Sequence, residues 1–217
     1  METPEHPGRE RILRRIESAL ARSAPKQAST TAQRLFAPVS DPLSRFRQEC
    51  AANITECVLT RDTAGTADAL RDLLAPLPAG EIYIEDTPLL RRIAQRSAAG
   101  RALRWSGDGA PGESSEASIT LAESLIASTG SVLIASSGAG RGASVIPPVH
   151  IVVASQSQLE PDLPAALARA QQKGLAERSS CLFLITGSSR TADIEKILVL
   201  GAHGPRRLVI LLAEHLD

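Results

Sequence analysis

Two segments of the chain concentrate residues whose types and spacing could do chemistry, and the first is rich in glycine. Residues 138–142 have the sequence Gly-Ala-Gly-Arg-Gly. The guanidinium of Arg141 among backbone N–H groups would suit a carboxylate or a phosphate. The segment lacks the Gly-Lys-Ser/Thr of a P-loop, and its third glycine falls at the wrong spacing for a dinucleotide fingerprint. The sequence therefore leaves two interpretations open, a flexible turn and an anion-binding loop.

The second segment combines an apolar run with a turn and a charged cluster. Residues 181–185 predict one buried strand, and the small residues at 186–189 permit a sharp turn after it. A strand that ends in such a turn is where α/β proteins commonly bind a ligand. If Ser189 caps a helix that begins with Arg190, the free N–H groups there could bind an anion. The same residues also fit helix capping alone.

Acid–base chemistry has three candidate catalytic side chains, Glu123, Asp193 and His203. A carboxylate could act as nucleophile or base, and an imidazole titrates near neutral pH. His150, at the start of a predicted strand, is a further candidate. Each histidine alone also fits a structural role, and Glu123 also fits an exposed position on a helix predicted at 120–127. No third metal ligand accompanies the histidines, so we expect no metal site.

Composition and charge argue against several function classes. The 217 residues are 43% hydrophobic, enough for a sizeable core, but only 2% aromatic. Few aromatic rings argue against single-stranded nucleic-acid binding. The 24 basic and 24 acidic side chains leave no global field to attract nucleic acid or an anionic membrane. The chain shows neither a membrane-length apolar run nor a signal-peptide pattern. We therefore expect a cytoplasmic protein that binds neither nucleic acid nor membrane.

The cysteines are Cys50, Cys57 and Cys181, and their spacing fits no zinc or cluster motif. An odd number of cysteines is typical of reduced thiols in a cytosolic protein. An ordinary iron–sulfur cluster needs more thiolates than this chain can supply. We therefore expect this chain to bind no cofactor of its own.

Helix and strand signals predict one α/β domain behind an N-terminal appendage. Residues 1–40 hold an amphipathic helix, at 9–22, and a linker rich in Ser, Thr, Ala and Pro. We expect that helix to pack on its own domain or on a partner rather than on a membrane. In residues 41–217, helices alternate with short apolar strands, which predicts a largely parallel sheet. The strands at 131–135 and 150–153 could instead pair antiparallel across their loop. The predicted strands lie at 57–59, 81–85, Trp105, 131–135, 150–153, 181–185 and 208–212.

Short motifs in the second half of the chain resemble a known family. They are Thr-Gly-Ser at 129–131, Arg-Gly-Ala-Ser at 141–144, His-Ile at 150–151, Gly-Ser-Ser-Arg-Thr-Ala-Asp-Ile-Glu at 187–195 and Gly-Ala-His-Gly-Pro at 201–205. Together they resemble the lactate-utilisation (LUD) domain, and most closely its LutC-type branch, also called the YkgG family. The resemblance extends over residues 41–215. The chain departs from the family pattern at Ser188, where the family has proline, and at Ser131, where it has threonine.

The resemblance implies a fold, a role and a set of binding residues. The implied fold is an open Rossmann-like sheet with helices on both faces, similar to the NagB/RpiA/CoA-transferase group. The implied role is lactate use, in which three proteins together oxidise L-lactate to pyruvate and the partner subunits carry the iron–sulfur clusters. The ligand-binding residues that we predict from the matched motifs are Thr129, Gly130, Arg141, Ser144, His150, Gly187, Ser188, Ser189, Arg190, Thr191, Asp193, Glu195, His203 and Gly204.

Three functions follow as hypotheses. In the first, the chain is the non-cluster subunit of an assembly that oxidises L-lactate to pyruvate, and it binds a small carboxylate or phosphate. In the second, it is a free-standing enzyme similar to acyl/CoA transferases or sugar-phosphate isomerases. In the third, it is a non-catalytic anion-binding scaffold. The sequence leaves open whether the chain itself catalyses a reaction.

Overall fold

The computed structural model describes most of the chain, namely residues 7–21, 38–192, 198–200 and 204–217. Two short strands, at 190–192 and 198–200, are described by their backbone alone. The chain divides into two units, residues 1–35 and residues 36–217. None of the helices within the described ranges has both the length and the apolar character needed to cross a bilayer.

The helices begin where the sequence supplies capping side chains. Asp41, Thr87 and Asp162 each accept a hydrogen bond from a backbone N–H of the helix that follows. A proline occupies the first turn of each of these helices, where its missing N–H costs nothing. Over the described residues the helices are α1 (Pro7–Leu20), α2 (Pro42–Ala52), α3 (Thr63–Leu74), α4 (Pro88–Ser97), α5 (Ser136–Ala139), α6 (Leu163–Gln172) and α7 (Leu175–Arg178).

The strands form three sheets over the described residues. A large sheet has the order β1-β12-β7-β4-β2-β3, a smaller one has the order β8-β5-β6-β9, and β10 pairs with β11. The strands are β1 (Glu56–Thr60), β2 (Glu81–Ile84), β3 (Leu103–Trp105), β4 (Ser115–Leu121), β5 (Ser124–Ile126), β6 (Ser131–Ala135), β7 (Val149–Ser155), β8 (Leu159–Glu160), β9 (Leu182–Ile185), β10 (Arg190–Ala192), β11 (Leu198–Leu200) and β12 (Arg207–Ala213).

The large sheet is parallel throughout and lies at the centre of the second unit. Its inner strands β7 and β12 are almost continuously apolar and buried, as both faces of a parallel sheet are covered. On one face, Leu70 of α3 and Leu90 of α4 pack in one cluster with Ile151. On the other face, Phe46 of α2 and Val132 of the smaller sheet pack in one cluster with strand residues of β7 and β12. The predicted fold class, a largely parallel α/β sheet with helices on both faces, is confirmed.

The helix predicted at 120–127 is wrong, because these residues form the end of β4 and all of β5. Their apolar positions fit a helical face as well as two short strands, so local pattern does not decide between them. Tertiary pairing does decide. Ile119 and Thr120 pair with β7 on one side, and Leu125 pairs with Val132 in the smaller sheet.

The alternative in which 131–135 and 150–153 pair antiparallel is also wrong. The first of these strands, β6, lies between β5 and β9 in the smaller sheet. The second, β7, lies between β12 and β4 in the large sheet. The connection from 136 to 148 therefore crosses from one sheet to the other instead of closing a hairpin.

The turn between β5 and β6 lies close to the backbone of α2, and a substitution at Gly130 tests how tight this contact is. Gly130 has φ +65°, and a Cβ there would lie 2.7 Å from the backbone of Glu49 and of Cys50. We expect Gly130→Ala to lower the free energy of unfolding by about 3 kcal/mol, since backbone strain and overpacking add.

Gly100→Ala is the matched control for this substitution. Gly100 has a similar φ of +78°, but a Cβ there would meet nothing within 4 Å. Strain alone predicts a loss of about 1 kcal/mol. Urea unfolding of both variants measures the difference, and equal losses would show that the contact with α2 costs nothing.

Candidate functional site

The strand predicted at 181–185 is confirmed as β9, but the prediction that it is buried is wrong. Leu184 is exposed and the other residues of β9 are half-buried, because the strand lies outside the parallel sheet. It pairs antiparallel with β6, and Ile185 is opposite Val132. The rule that ligands bind beyond the carboxyl ends of strands concerns open parallel sheets. Sheet topology therefore does not predict a ligand site at the end of β9.

The end of β9 meets the predicted Thr129-Gly130 turn. The Ser131 hydroxyl oxygen lies 2.7 Å from that of Thr129 and 2.6 Å from that of Thr186. The side-chain amide of Asn53, at the end of α2, donates to the Thr129 carbonyl oxygen at 3.0 Å. These contacts join α2 to the smaller sheet, and the close approach of Gly130 to the α2 backbone belongs to the same junction.

Gly187 and Ser188 continue this junction. Gly187 has φ +96°, a backbone conformation that favours glycine. Ser188 is only 7% exposed, and its hydroxyl donates to the Ile54 carbonyl oxygen at 3.2 Å. The structure thus brings together four of the predicted binding residues, Thr129, Gly130, Gly187 and Ser188. The contacts described for them are made with other parts of the protein.

The helix predicted after Ser189 is wrong, because the backbone of Arg190–Ala192 forms β10. This strand, which includes Thr191, pairs antiparallel with β11. The Ser189 N–H donates to the Pro205 carbonyl oxygen at 2.9 Å. A Cβ at Gly204, where φ is +127°, would lie 3.4 Å from the Ser189 Cβ. Ser189 and Gly204 are therefore neighbours.

Asp193, Glu195 and His203 lie outside the described residues. Of Arg190 and Thr191, only the backbone is described. That these five side chains line a ligand site stays a prediction.

The Gly-rich segment is packed on the face of the large sheet. The Tyr83 hydroxyl donates to the Ala139 carbonyl oxygen at 2.8 Å. The Ser118 hydroxyl donates to the Ala143 carbonyl oxygen at 2.5 Å. After the short helix α5, residues 140–145 form a turn, and two buried side chains of the sheet contact this segment. Both open interpretations, the flexible turn and the anion-binding loop, stay predictions.

Arg141 lies between the two hydrogen-bonded residues Ala139 and Ala143, and Ser144 directly follows the second of them. Arg141 is exposed, and its Nε lies 3.4 Å from the Ser180 hydroxyl oxygen. The Ser144 hydroxyl is buried and has no hydrogen-bond partner among the described residues. The guanidinium is thus at the surface, next to a serine of the segment before β9.

His150 is completely buried on the same face of the sheet. It lies opposite Ser118 in the strand register, and its Nε2 is 2.9 Å from the Thr120 hydroxyl oxygen. Its Nδ1 has no partner in the described part of the chain. Burial lowers the pKa of His150 to about 4, so the ring is neutral at physiological pH. If the neutral imidazole donates from Nε2, its unpaired Nδ1 is an acceptor and not a donor. This tautomer costs less free energy than one that leaves a buried N–H without a partner.

Glu85, an acid that the matched motifs do not include, is the most perturbed carboxyl group on this face. It directly follows β2, and one carboxylate oxygen accepts the Leu121 N–H at 2.8 Å. A Cβ on Gly138 would overlap the other oxygen, so a larger residue there would force the Glu85 side chain to move. Burial raises the pKa of Glu85 to about 7; the Leu121 hydrogen bond opposes this shift and the charge of Glu123 adds to it.

Glu123 follows β4 rather than lying on a helix. Its carboxylate forms an ion pair with Lys173, the residue after α6, at 3.0 Å. Both side chains are partly exposed. Glu123 and Glu85 are close enough for their charges to interact. The result is a cluster of two carboxylates and one ammonium, which we call the switch-point cluster: Glu85, Glu123 and Lys173.

The switch-point cluster lies at the edge of the sheet where open α/β folds bind ligands. From β2 the chain passes through α4 to β3, on one side in the sheet order. From β4 it passes through the smaller sheet to β7, on the other side. Neighbouring parallel strands whose connections leave in opposite directions open a crevice at their carboxyl ends. Glu85 directly follows β2, and Glu123 lies two residues after the end of β4.

The groups of the switch-point cluster suit proton transfer and anion binding. A carboxyl group with a pKa near 7 exchanges protons readily at neutral pH, as a general base or acid must. Lys173 is a partly exposed cation that is paired with Glu123. Within the described ranges, no three His, Cys, Asp or Glu side chains gather as ligands for a metal ion.

Comparison with known proteins assigns the family. The model of the LUD domain matches residues 112–213. The chain is 27% identical to Lactate utilization protein C of Bacillus subtilis (strain 168), over 94% of this chain and 95% of that protein. It is 31% identical to the protein YkgG of Escherichia coli (strain K12), over 74% of each. The chain belongs to the LUD-domain family.

A solved structure supports the LUD-domain fold independently. A DUF162 family protein from Deinococcus radiodurans superposes with a TM-score of 0.62, over 79% of this chain and 96% of that one. The sequence identity is 18%, so the likeness concerns the fold alone. The LUD-domain match includes Glu123 and Lys173, whereas Glu85 precedes it. The one local signal for Glu85 is its place as an acid between a buried strand and a capped helix.

Glu85 and His150 predict opposite pH dependences of stability in this LUD domain. Folding raises the pKa of Glu85 from 4.5 to about 7, so its contribution is fully present below pH 4.5 and is lost as the pH rises through about 7. Folding lowers the pKa of His150 from 6.5 to about 4, so its contribution is present above pH 6.5 and is lost as the pH falls through about 4. In the wild type, the contributions of Glu85 and His150 to the pH dependence of stability therefore offset each other.

Glu85→Gln should expose the histidine effect. Between pH 7 and pH 4.5, we expect the variant to lose up to about 3 kcal/mol more stability than the wild type. Urea unfolding at a series of pH values measures this difference, and the exposed Glu113→Gln is the control. Parallel pH profiles for Glu85→Gln and the wild type would contradict the raised pKa of Glu85.

Proposed function

We propose that this chain is a lactate-utilisation protein and acts as the non-cluster subunit of an assembly that oxidises L-lactate to pyruvate. The relative in Bacillus subtilis is named Lactate utilization protein C, and the match spans 94% of this chain. The three cysteines are too few to hold an ordinary iron–sulfur cluster. In this proposal, iron–sulfur partner subunits accept the electrons, and this chain supplies a binding and proton-transfer site.

The observation that carries the chemical part of the proposal is the position and pKa of Glu85. Oxidation of a 2-hydroxy acid to a 2-oxo acid releases two electrons and two protons. Glu85, half-ionised near pH 7, accepts the proton of the substrate hydroxyl. The electrons and the second proton leave to the partner subunits.

In this proposal, the carboxylate of the substrate binds at Lys173. The ammonium is held by Glu123 at 3.0 Å and is partly exposed, so a carboxylate can approach it from solvent. Gly138 packs directly against the Glu85 carboxylate. A small 2-hydroxy or 2-oxo acid would share the Lys173 ammonium with Glu123 or displace Glu123 from it, and would use Glu85 as its proton acceptor.

A second candidate function rests on the same carboxylate. A raised pKa and partial burial also suit a carboxylate nucleophile of an acyl/CoA transferase, or the base of a sugar-phosphate isomerase. Neither needs a partner subunit or an electron acceptor. Turnover of CoA esters or sugar phosphates by the purified chain alone would favour this candidate over the lactate-oxidising assembly. The third hypothesis, a non-catalytic anion-binding scaffold, uses no proton acceptor at all.

Reconstitution with the iron–sulfur partner subunits tests the proposal. L-lactate oxidation with an electron-accepting dye is measured with no added chain, with the wild type, with Glu85→Gln and with the control Glu113→Gln. We expect no rate without the chain, and at least about a 100-fold lower rate with Glu85→Gln, because a general base contributes about that much. An unchanged rate without the chain would contradict the proposal that the chain is a subunit of the lactate-oxidising assembly. A wild-type rate with Glu85→Gln would contradict a catalytic role of Glu85 and would favour the non-catalytic anion-binding scaffold.

A further inference from the structure

The residue that packs against Glu85 is held in place by the only tyrosine of the chain, Tyr83. Tyr83 lies on β2, two residues before Glu85, so both side chains point to the same face of the large sheet. The Tyr83 hydroxyl donates to the Ala139 carbonyl oxygen at 2.8 Å. Ala139 directly follows Gly138, which packs against the Glu85 carboxylate. This hydrogen bond therefore joins the strand before Glu85 to the short helix that covers Glu85.

The Tyr83 side chain is completely enclosed by this contact. Tyr83 is 1% exposed and forms a small cluster with Ala139 and Ala143. A Cβ on Gly140 would lie 3.9 Å from the Tyr83 hydroxyl oxygen, so the chain passes closely over the ring. Ala139 is itself completely buried. Loss of the hydroxyl would take away the partner of a buried carbonyl oxygen, and that oxygen would have to move towards water to find another.

We propose that Tyr83 is a positioning residue, whose hydroxyl holds Gly138 against the Glu85 carboxylate and so keeps water away from it. Without the hydroxyl, the short helix α5 moves off the sheet and Gly138 withdraws. Water then reaches the carboxylate and stabilises its ionised form. The consequence for catalysis rests on the proposed function, in which Glu85 is the base. The positional role of Tyr83 rests on the contacts of Tyr83, Ala139 and Gly138 alone.

The other ionisable groups around Glu85 set the background against which Tyr83 acts. Glu123 faces it from the end of β4 and is paired with Lys173 at 3.0 Å. Arg141, in the covering segment, is exposed and contacts Ser180. His150 on the same face is neutral near pH 7, because burial lowers its pKa to about 4. None of these groups contacts the Tyr83 hydroxyl within the described residues, so removal of the hydroxyl leaves their charges unchanged.

The test follows the titration of the Glu85 carboxyl carbon by NMR in the full chain. The chain carries isotope-labelled glutamate, and Glu85→Gln assigns the signal. In the wild type we expect a midpoint near pH 7, since burial raises the pKa of Glu85 to about 7. In Tyr83→Phe, which keeps the ring, we expect a midpoint at least about one pH unit lower, because hydration stabilises the ionised form. An unchanged midpoint in Tyr83→Phe would overturn the proposal.

Ser118→Ala is the matched control. It removes another buried hydroxyl that holds the same segment, at the Ala143 carbonyl oxygen and not beside Gly138. We expect Ser118→Ala to lower the free energy of unfolding, as Tyr83→Phe does, and to leave the Glu85 midpoint at its wild-type value. An equal fall of the midpoint in both variants would show general loosening of the segment and would overturn the specific role of Tyr83.

Gly138→Ala tests the same contact from the other side and serves if Tyr83→Phe folds poorly. Its Cβ would overlap the Glu85 carboxylate and displace it. We expect the Glu85 midpoint to fall in this variant too, because the displaced carboxylate is more hydrated. A wild-type midpoint in folded Gly138→Ala would contradict the claim that Gly138 keeps water from Glu85.

Rates in the reconstituted assembly separate this inference from the proposed function. If both hold, the acid side of the pH–rate profile moves to lower pH in Tyr83→Phe by as much as the NMR midpoint does. A lower midpoint with an unchanged pH–rate profile would support the role of Tyr83 and contradict the catalytic role of Glu85. An unchanged midpoint would overturn the role of Tyr83, whatever the rate.

Discussion

The parallel pairing of β2 with β4 is the constraint on which both the sheet and the switch-point cluster depend. It places the Glu85 carboxylate against the Leu121 amide, and it sends the two outgoing connections to opposite sides of the sheet. Gly138 packs against the same carboxylate. Because an enclosed carboxylate favours its protonated form, this pairing also brings the pKa of Glu85 close to neutrality.

Much of the fold could be predicted from the sequence, since many elements are specified by signals a few residues long. Asp41 and the proline after it start α2, and uninterrupted apolar runs mark β6 and β12. One exception is the segment after Ser189, where β10 forms instead of a helix. Another is 120–127, where helical and strand spacings coincide. There the outcome depends on β7 and β6, which are distant in the chain, and a local pattern cannot report a distant partner.

The site was harder to predict because its members come from separate strands. The family motifs draw attention to Thr129, Gly130 and Ser188, and the structure shows these residues contacting α2 and the turn after it. Glycine and small hydroxyls suit a tight junction as well as they suit an anion site. Glu85 has no comparable local mark. Its significance depends on Gly138 and on strand order, and both come from tertiary structure.

Backbone amide NMR of the chain during titration with L-lactate tests the central claim most directly, because it distinguishes the two candidate regions. Binding at the switch-point cluster predicts that the largest saturable shifts occur at Glu85, Glu123, Gly138 and Lys173. Shifts confined to residues 187–204 would contradict the account and assign the ligand to the motif segment instead.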